Sequence, residues 1–195
     1  MTAIDPNNVH FTGENSFLRL KTEADGPETT VCAHWRTLIS PAGPGTCLFL
    51  RSDATGGEVR LYADNVGMAR WLQGELESIL NPPFADTAMP IAEAAFSREG
   101  AFRSTYREIV DSADGRIELG WSDMGEPFML TLPPNNDDTG PWAVYSCLVP
   151  CRTATLEVAG TRAEGGAYEN VMFGRPASSS CLAWSETGCA AERRR

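Results

Sequence analysis

The side chain best suited to acid–base chemistry in this sequence is that of His34. It lies in the run Val31 to Ile39, whose alternation places it on one face with Cys32, Arg36 and Leu38. An unperturbed imidazole titrates closer to neutral pH than any other side chain, so we expect His34 to act as a general base in a pocket. The planar guanidinium of Arg36 would then anchor an anionic group of the substrate. A partly buried histidine satisfied by backbone groups is the alternative interpretation.

Two carboxyl groups near tryptophans are the next candidates. Asp123 follows Trp121 on one face of a strand-like run, and Glu186 follows Trp184 in the same way. A carboxyl group buried in a pocket has a shifted pKa and can act as a general acid or base. At the end of a strand it would instead reach water or pair with an arginine. We take Asp123 as a second candidate base, and Glu186, Trp121 and Trp184 as substrate contacts.

Tyrosine hydroxyls could donate the proton that such a reaction needs. Tyr106 shares a strand face with Glu108, and Tyr62 shares one with Arg60. We expect Tyr106 to be catalytic as a proton donor, and Tyr62 to contact the substrate or to take that donor role. Aromatic residues with a polar group often line ligand pockets, although more of them form cores.

The sequence lacks the motifs that bind common cofactors. It has no Gly-rich phosphate loop ending in Lys-Ser/Thr, no dinucleotide fingerprint, no His-Glu-x-x-His and no Gly-x-Ser-x-Gly. Of the 6 cysteines only Cys147 and Cys151 are close in sequence, and there are 2 histidines, so the spacing predicts no metal site. We expect no cofactor, and reduced thiols that behave as small apolar residues.

The charge and hydropathy of the chain restrict its partners. The formal net charge is -10, which repels phosphate backbones and anionic lipid surfaces. No apolar run approaches the ~18 residues of a membrane span, and the N-terminus lacks the features of a secretory signal. We therefore expect a soluble, cytoplasmic protein whose partner is a small molecule, not nucleic acid or a membrane. A homo-oligomer remains open.

Short runs rich in β-branched and aromatic residues, separated by clusters of Gly, Pro and Asp, predict strands along most of the chain. The predicted strands are Ser16 to Lys21, Val31 to Ile39, Thr46 to Arg51, Glu58 to Ala63, Phe102 to Val110, Arg116 to Ser122, Pro127 to Leu132, Trp142 to Val149, Thr153 to Thr161 and Ser179 to Thr187. Two hairpins are expected, one turning through Ala113-Asp114-Gly115 and one through Met124-Gly125-Glu126.

One long amphipathic helix is expected after Asn65. This residue can cap its first turn, and Met68, Trp71, Leu72, Leu76, Ile79 and Leu80 then follow the i, i+3, i+4 spacing of an apolar stripe. Asn81-Pro82-Pro83 ends the helix, because proline has no N–H to continue it. Ile91 to Phe96 is expected to form a second, short helical turn.

These elements indicate a single, mostly β domain over 1–195, with a frayed N-terminus at about 1–12 and a C-terminal tail at about 189–195. An antiparallel sheet of about eight to ten strands would remove its edges by closing into a barrel or by curving strongly, with the helix packed against it. A barrel of this size can hold a small ligand, and its architecture alone resembles lipocalin-type barrels. A β-sandwich is the alternative.

The candidate residues and the expected pocket favour an acid–base enzyme without a cofactor, a lyase, isomerase or hydratase acting on a small, partly apolar molecule. His34 or Asp123 would be its base. The alternative is a non-catalytic carrier of a small apolar ligand, which needs the same barrel but no buried titrating group. Fold alone does not choose between them.

Overall fold

The computed structural model describes residues 8–101 and 103–190. Its strands are β1 (Val9–Lys21), β2 (Glu28–Ile39), β3 (Gly45–Ser52), β4 (Val59–Ala63), β5 (Ile91–Ala101), β6 (Thr105–Ser112), β7 (Gly115–Met124), β8 (Phe128–Leu132), β9 (Trp142–Val158), β10 (Thr161–Arg162), β11 (Glu169–Met172), β12 (Arg175–Ser178) and β13 (Cys181–Ala190). The helical segments are α1 (Val66–Leu72), a π-helical segment (Gln73–Glu77) and α2 (Ser78–Leu80), with 3-10 turns at Asp53–Thr55 and Pro82–Phe84.

The main sheet closes into a barrel of 9 strands, which confirms the predicted closed barrel and not the sandwich. Its strands follow the order β9-β13-β1-β2-β3-β4-β5-β6-β7, and β7 pairs back with β9. The barrel is mixed rather than purely antiparallel, because β4 and β5 run parallel, with Leu61 opposite Ile91. The helical segment between β4 and β5 makes this parallel pairing possible, since it carries the chain back along the barrel wall.

The helical segment begins and ends as predicted, after Asn65 and before Asn81, but it is not α-helical throughout. Asn65 caps α1 by accepting a hydrogen bond from the backbone N–H of Met68 at 3.1 Å. The π-helical segment then interrupts the α-helical pattern, and α2 ends before Asn81. The interruption turns Gln73 and Glu77 toward the barrel wall, where both are buried.

Ile91 to Phe96 is a strand, so the predicted short helical turn there is wrong. The segment contains three alanines and one glutamate, residues that favour helix in isolation. In the folded chain its backbone pairs on one side with β4 and on the other with β6, with Phe96 opposite Val110. Pairing along both edges outweighs the local helical preference, which is small per residue.

One of the two predicted hairpins is confirmed. Ser112 pairs with Gly115 across the turn between β6 and β7, and Gly115 has a φ of 108°, which favours glycine. The hairpin predicted through Met124-Gly125-Glu126 is wrong, because β7 and β8 do not pair with each other. Both pair with β9, along the same edge.

The long strand β9 replaces two of the predicted strands. It continues through Pro150, which lacks an N–H, because the Pro150 carbonyl and the N–H of the next residue still form backbone hydrogen bonds. The carbonyl of Pro150 accepts a hydrogen bond from the N–H of Gly125 at 2.7 Å, and the N–H of Cys151 donates to the carbonyl of Ser180 at 2.9 Å. The strand ends in a turn at Ala159 and Gly160, both with positive φ.

The barrel wall separates two apolar clusters. The first fills the interior and includes Leu18, Leu50, Leu119, Trp121 and Leu156. The second lies outside, where Trp35, Phe49, Met68, Leu72 and Leu76 pack the helical segment onto the wall. The interior is thus a packed core, and space for a ligand lies at its end or on its outer surface.

The ends of the described chain take part in the sheet. β1 begins at Val9, inside the segment 1–12 for which we expected fraying, and β13 extends to Ala190, inside the expected tail. Residues 1–7 and 191–195 lie outside the described ranges. None of the helical segments described has the length and apolar character needed to cross a membrane.

Candidate functional site

Three of the predicted site residues, His34, Arg36 and Tyr106, meet at one end of the barrel interior around Glu108. Nε and Nη2 of Arg36 donate to the two oxygens of Glu108 at 2.9 and 2.6 Å, and the hydroxyl of Tyr106 donates at 2.8 Å. His34 Nε2 lies 3.7 Å from Glu108 Oε2. We call these residues, together with Arg98 and Glu14, the mouth cluster.

The charges within the mouth cluster follow from burial and contact. Burial alone would raise the pKa of Glu108, but Arg36, His34 and Tyr106 outweigh it and hold the pKa below its ordinary value. Burial lowers the pKa of His34 to about 4, against the opposing effect of Glu108. Burial and the charge of Glu108 raise the pKa of Tyr106 to about 12. At neutral pH His34 is therefore neutral and Tyr106 keeps its proton.

An open cleft of about 540 Å³ lies over this cluster, lined by Glu14, Arg98, Tyr106 and Trp184. Arg98 Nη1 donates to Glu14 at 3.0 Å and to the hydroxyl of Tyr106 at 3.3 Å. Each guanidinium of the cluster thus already faces a carboxylate. His34 is 1% exposed and does not belong to the cleft lining. The geometry is that of an ion-pair network which closes one end of the barrel.

Trp121 and Trp184 lie with the mouth cluster, as their strands' alternation predicts. The indole of Trp121 is buried, and its ring centroid lies 6.3 Å from that of Tyr106. Nε1 of Trp121 donates a hydrogen bond to the carbonyl of Phe17 at 3.1 Å. Trp184 packs against the interior cluster and lines the cleft.

Asp123 and Tyr62 lie elsewhere. Asp123 has a φ of 52°, which breaks the strand alternation, and its side chain is 58% exposed, with Oδ1 3.6 Å from Nη1 of Arg152. Tyr62 donates to Asp114 Oδ2 at 3.2 Å, beside the turn at the other end of β6. Neither residue shares a pocket with His34.

Glu186 lies on the outer face of the barrel, not on the face of Trp184. The register between β9 and β13 shifts between Ala183 and Ser185, and this bulge turns the two side chains to opposite sides of the wall. Glu186 is opposite Ser146 of β9 and Gly13 of β1, and it is 7% exposed. Nδ2 of Asn15 donates to its Oε2 at 3.3 Å.

Glu186 faces a cavity of about 280 Å³, which we call the outer pocket. Its floor is the outer wall formed by β1, β13, β9 and β8. Its cover comes from the end of α2, the loop before β9 and the hairpin β11–β12. Its apolar surface consists mainly of Phe17, Ala33, Leu130, Leu148, Met172 and Phe173.

The polar groups of the outer pocket are few and unevenly paired. Burial raises the pKa of Glu186 to about 7, and the nearby Glu77 adds to this, against hydrogen bonds from Asn15 and Ser146. Oδ1 of Asn15 is buried and has no hydrogen-bond partner within the described chain. The pocket therefore combines a carboxyl group that changes charge near neutral pH with a free acceptor.

Glu77 and Arg19 complete the surroundings of Glu186. Glu77 accepts hydrogen bonds from Trp35 Nε1 and Asn81 Nδ2, both at 2.7 Å, and burial raises its pKa. Arg19, at the rim, donates to Asn81 Oδ1 at 2.6 Å and to Glu28 Oε2 at 3.3 Å. The guanidinium of Arg19 at the pocket rim is thus already paired with the carboxylate of Glu28.

Sequence reasoning did not select Asn15 or Glu77. Glu77 lies next to the apolar stripe of the helix, and a charged residue at that position indicates a buried polar contact. The π-helical segment is what turns Glu77 toward the barrel wall, and the sequence did not predict this segment. Asn15 lies in a segment without clear periodicity before the predicted strand at Ser16. Its role depends on the pairing of β1 with β13, which the sequence does not reveal.

Metal-binding geometry and disulfides are not found in the part of the chain described. Within residues 8–101 and 103–190, no three His, Cys, Asp or Glu side chains are grouped so that they could hold a metal ion. All six cysteines are free thiols.

Comparison with known proteins finds no family model, no curated protein and no solved structure that matches this chain.

Proposed function

We propose that the protein binds a small, partly apolar molecule in the outer pocket and that Glu186 exchanges a proton with it, as the acid–base group of a lyase, isomerase or hydratase. One observation carries this proposal: a buried carboxyl group with a pKa of about 7 faces an apolar cavity. General acid–base catalysis is most efficient when the catalytic pKa lies near the working pH. Strongly perturbed carboxyl groups in clefts are accordingly concentrated at functional sites.

The raised pKa lets Glu186 act in both directions. At pH 7 its protonated and ionised forms are both well populated, so it can accept a proton from a bound molecule or donate one to it. The apolar side chains of the lining strengthen the electrostatic effect of the carboxylate on a bound group. The Asn15 amide donates to Oε2 of Glu186, and both residues line the pocket.

The size of the pocket limits the molecule it can hold. Pockets for drug-sized ligands span roughly 300–1,000 Å³, and the outer pocket has about 280 Å³. A single aromatic ring or a short branched chain with one polar group fits such a space.

This proposal moves the expected chemistry from His34 and Asp123 to Glu186. Arg36 and Tyr106 support a structural role, because both donate hydrogen bonds to Glu108. His34 is neutral and lies outside the cleft lining, and its Nε2, 3.7 Å from Glu108 Oε2, has no hydrogen-bond partner among the described residues. Asp123 has access to solvent and a nearby arginine, which supports the strand-end interpretation of its carboxylate.

A non-catalytic carrier is the second candidate. The observation that favours it is the cover of the pocket, since the hairpin β11–β12 forms a separate two-stranded sheet that contributes Met172 and Phe173 to the lining. Such a cover suits slow release of an unchanged ligand. Native mass spectrometry of freshly purified protein distinguishes the two, because a carrier retains one intact ligand and an acid–base enzyme converts it.

The location of the site is tested with two tryptophan substitutions on one strand. Leu130 lines the outer pocket, whereas the preceding residue, Met129, is 57% exposed and does not belong to its lining. We expect Leu130→Trp to fill the pocket and abolish binding of single-ring fluorinated probes in ¹⁹F NMR, and Met129→Trp to bind like the wild type. Equal binding by both variants would place the ligand elsewhere.

The acid–base role is tested by titrating the carboxyl carbons of protein labelled with ¹³C-glutamate. We expect one resonance, absent from Glu186→Gln, to titrate with a midpoint near 7. A midpoint below 6 for that resonance removes the basis for proton exchange by Glu186 at neutral pH.

A further inference from the structure

We infer that the polar end of the molecule held in the outer pocket is a primary ammonium group, which donates hydrogen bonds to Glu186, Asn15 and Ser146. This inference rests on the binding of a small, partly apolar molecule in the outer pocket, which the acid–base enzyme and the carrier share, because it assigns a chemical class to that ligand. A bound ammonium holds Glu186 ionised as its counter-ion.

Three acceptors converge at one end of the pocket. Glu186 and Ser146 are directly opposite each other on β13 and β9, and Asn15 reaches Glu186 from β1 on the other side, with 3.3 Å between Nδ2 and Oε2. All three residues line the cavity. The Ser146 hydroxyl has oxygen lone pairs that can accept a hydrogen bond from a ligand.

The number of donors in an ammonium group matches these acceptors. An ammonium has three N–H donors and no acceptor, whereas an alcohol has one donor and a ketone has none. Asn15 Oδ1, buried and without a partner within the described residues, needs a donor from the ligand. Of these three groups, only the ammonium has enough donors for this oxygen, the Glu186 carboxylate and the Ser146 hydroxyl together.

The charge of the surroundings favours a cation. The charged or titratable groups around Glu186 are Glu77 on the π-helical segment, Asp138 in the loop, Arg19 on β1 and Tyr168 before β11. Among the ion pairs formed by the described residues, none includes Glu186 or Glu77, while Arg19 pairs with Glu28. A bound ammonium supplies a counter-charge to Glu186, whereas an anionic ligand would meet the carboxyl groups of Glu186 and Asp138, with Arg19 already paired with Glu28.

The remaining surface specifies the rest of the ligand. The side chains of Phe17, Leu130 and Leu148 on the wall and of Met172 and Phe173 on the hairpin present apolar surface to the cavity. The structure therefore fits a primary amine on a small apolar body, such as an arylalkylamine or a short branched alkylamine.

Three probes with one ring test this class: 4-fluorobenzylamine, 4-fluorobenzyl alcohol and 4-fluorobenzoate. At pH 8, where Glu186 is ionised, we expect the amine to bind at least ~10-fold more tightly than the alcohol, since a buried charge pair is disrupted when the ligand charge is removed. The benzoate should not bind. Lowering the pH to 5.5 protonates Glu186 and should weaken the amine at least ~10-fold, with little effect on the alcohol.

Two variants separate the charge from the shape of the pocket. Glu186→Gln keeps the side-chain volume and should weaken the amine at least ~10-fold while changing alcohol binding less than ~3-fold. Ser146→Ala is a milder second variant and should weaken the amine several-fold, with the alcohol again unchanged. Thermal unfolding of each variant shows that the barrel is retained.

The outcomes distinguish the class of ligand from the site itself. If the alcohol binds the wild type as tightly as the amine, and Leu130→Trp abolishes both, the pocket stands and the ammonium assignment is overturned. If none of the three probes binds, or if Leu130→Trp binds them all, the proposed function fails together with its ligand class.

Discussion

At the scale of the residue, Glu186 differs from the other buried carboxylate on the barrel strands, Glu108. Glu108 has a guanidinium against both of its oxygens, and its pKa lies below the ordinary value. Glu186 has an amide and a hydroxyl, and another carboxyl group nearby, and its pKa is raised. Glu108, inside the barrel, is thus a fixed charge because Arg36 accompanies it. Glu186, on the outer face, has no such cation and titrates at a higher pH.

The raised pKa of Glu186 makes stability depend on pH. In the folded protein the pKa is about 7, against 4.5 for an unperturbed group, so the folded state binds more protons between these values. The stability that this proton contributes is complete below the unfolded pKa and is lost as the pH rises through about 7. Over that interval the loss approaches about 3 kcal/mol.

We therefore predict that Glu186→Gln becomes more stable relative to the wild type as the pH rises from 5 to 8. The free energy of unfolding of the wild type, minus that of the variant, should fall by about 1–3 kcal/mol over this range. Urea denaturation at several pH values measures it, with the exposed Glu157→Gln as the control substitution. A difference that stays constant from pH 5 to 8 would contradict a buried and unpaired carboxyl group.

Alternation along strands predicted the face of some candidate residues and misplaced others. His34, Arg36 and Tyr106 do project into the interior, because β2 and β6 are regular on both edges at these positions. Glu186 and Asp123 do not follow the same rule. A shift of register before Ser185 moves Glu186 outward, and a positive φ turns Asp123 to solvent. Irregularities of this kind depend on which strands pair, and a single sequence does not contain that information.

At the scale of the element, the contact between β1 and β13 fixes the position of Glu186. Gly188 of β13 lies under the ring of Phe11 of β1, and a Cβ at this glycine would overlap Cε1 of that ring. Phe11 is fully buried and packs edge-on against Trp35 and Trp142. The ring has no space to move, so the strand needs glycine at this position.

We predict that Gly188→Ala destabilises the protein by about 3 kcal/mol or more, because the methyl group overpacks a rigid aromatic cluster. Gly74→Ala is the matched control. Gly74 is exposed in the π-helical segment, and no atom lies within 4 Å of the position that a Cβ would take, so this change should be neutral or stabilising by up to ~1 kcal/mol. Thermal unfolding measures both, and similar melting temperatures for the two variants would contradict the contact.

The helices and strands could be predicted where local sequence signals, such as caps and prolines, agreed with the strand pairing of the folded chain. Asn65 marked the start of the helix and Asn81 its end, because capping and proline act through the nearest residues. The strand β5 was missed because its alanines favour helix. The second hairpin was wrong because a glycine such as Gly125 is compatible both with a hairpin turn and with an interruption between two strands, β7 and β8, that pair with the same edge of β9. Composition alone does not separate these outcomes.

At the scale of the whole molecule, the outer pocket lies on the outer face of the barrel wall. The interior holds a continuous apolar cluster capped by the mouth cluster, and the outer wall is covered by the helical segment, the loop before β9 and the hairpin β11–β12. A closed barrel was predictable from many short strands and the need to remove edges. The outer pocket was not, since it depends on how three separate segments fold over one wall.

The cover over the outer pocket should be the least stable part of the described fold. The hairpin β11–β12 pairs only with itself, and its base is held by hydrogen bonds between Tyr168 and Ser179. By contrast, β1 pairs with β2 from Thr12 to Lys21 and with β13 at Val9, Phe11, Thr12, Gly13 and Phe17. Backbone amides that open locally exchange their hydrogens faster than those that require global unfolding.

We predict that amides in Glu169–Met172 and Arg175–Ser178 exchange with deuterium at least ~100-fold faster than those at the centre of β1. Saturating 4-fluorobenzylamine should slow exchange in the hairpin while leaving the far side of the barrel, at β6 and β7, unchanged. The reason is that Met172 and Phe173 contact the cavity, so a bound molecule stabilises their closed position. Mass spectrometry of peptides after timed exchange measures both effects. A hairpin as protected as β1, with or without the amine, would show instead that the cover is a fixed part of the barrel and that ligands enter by another route.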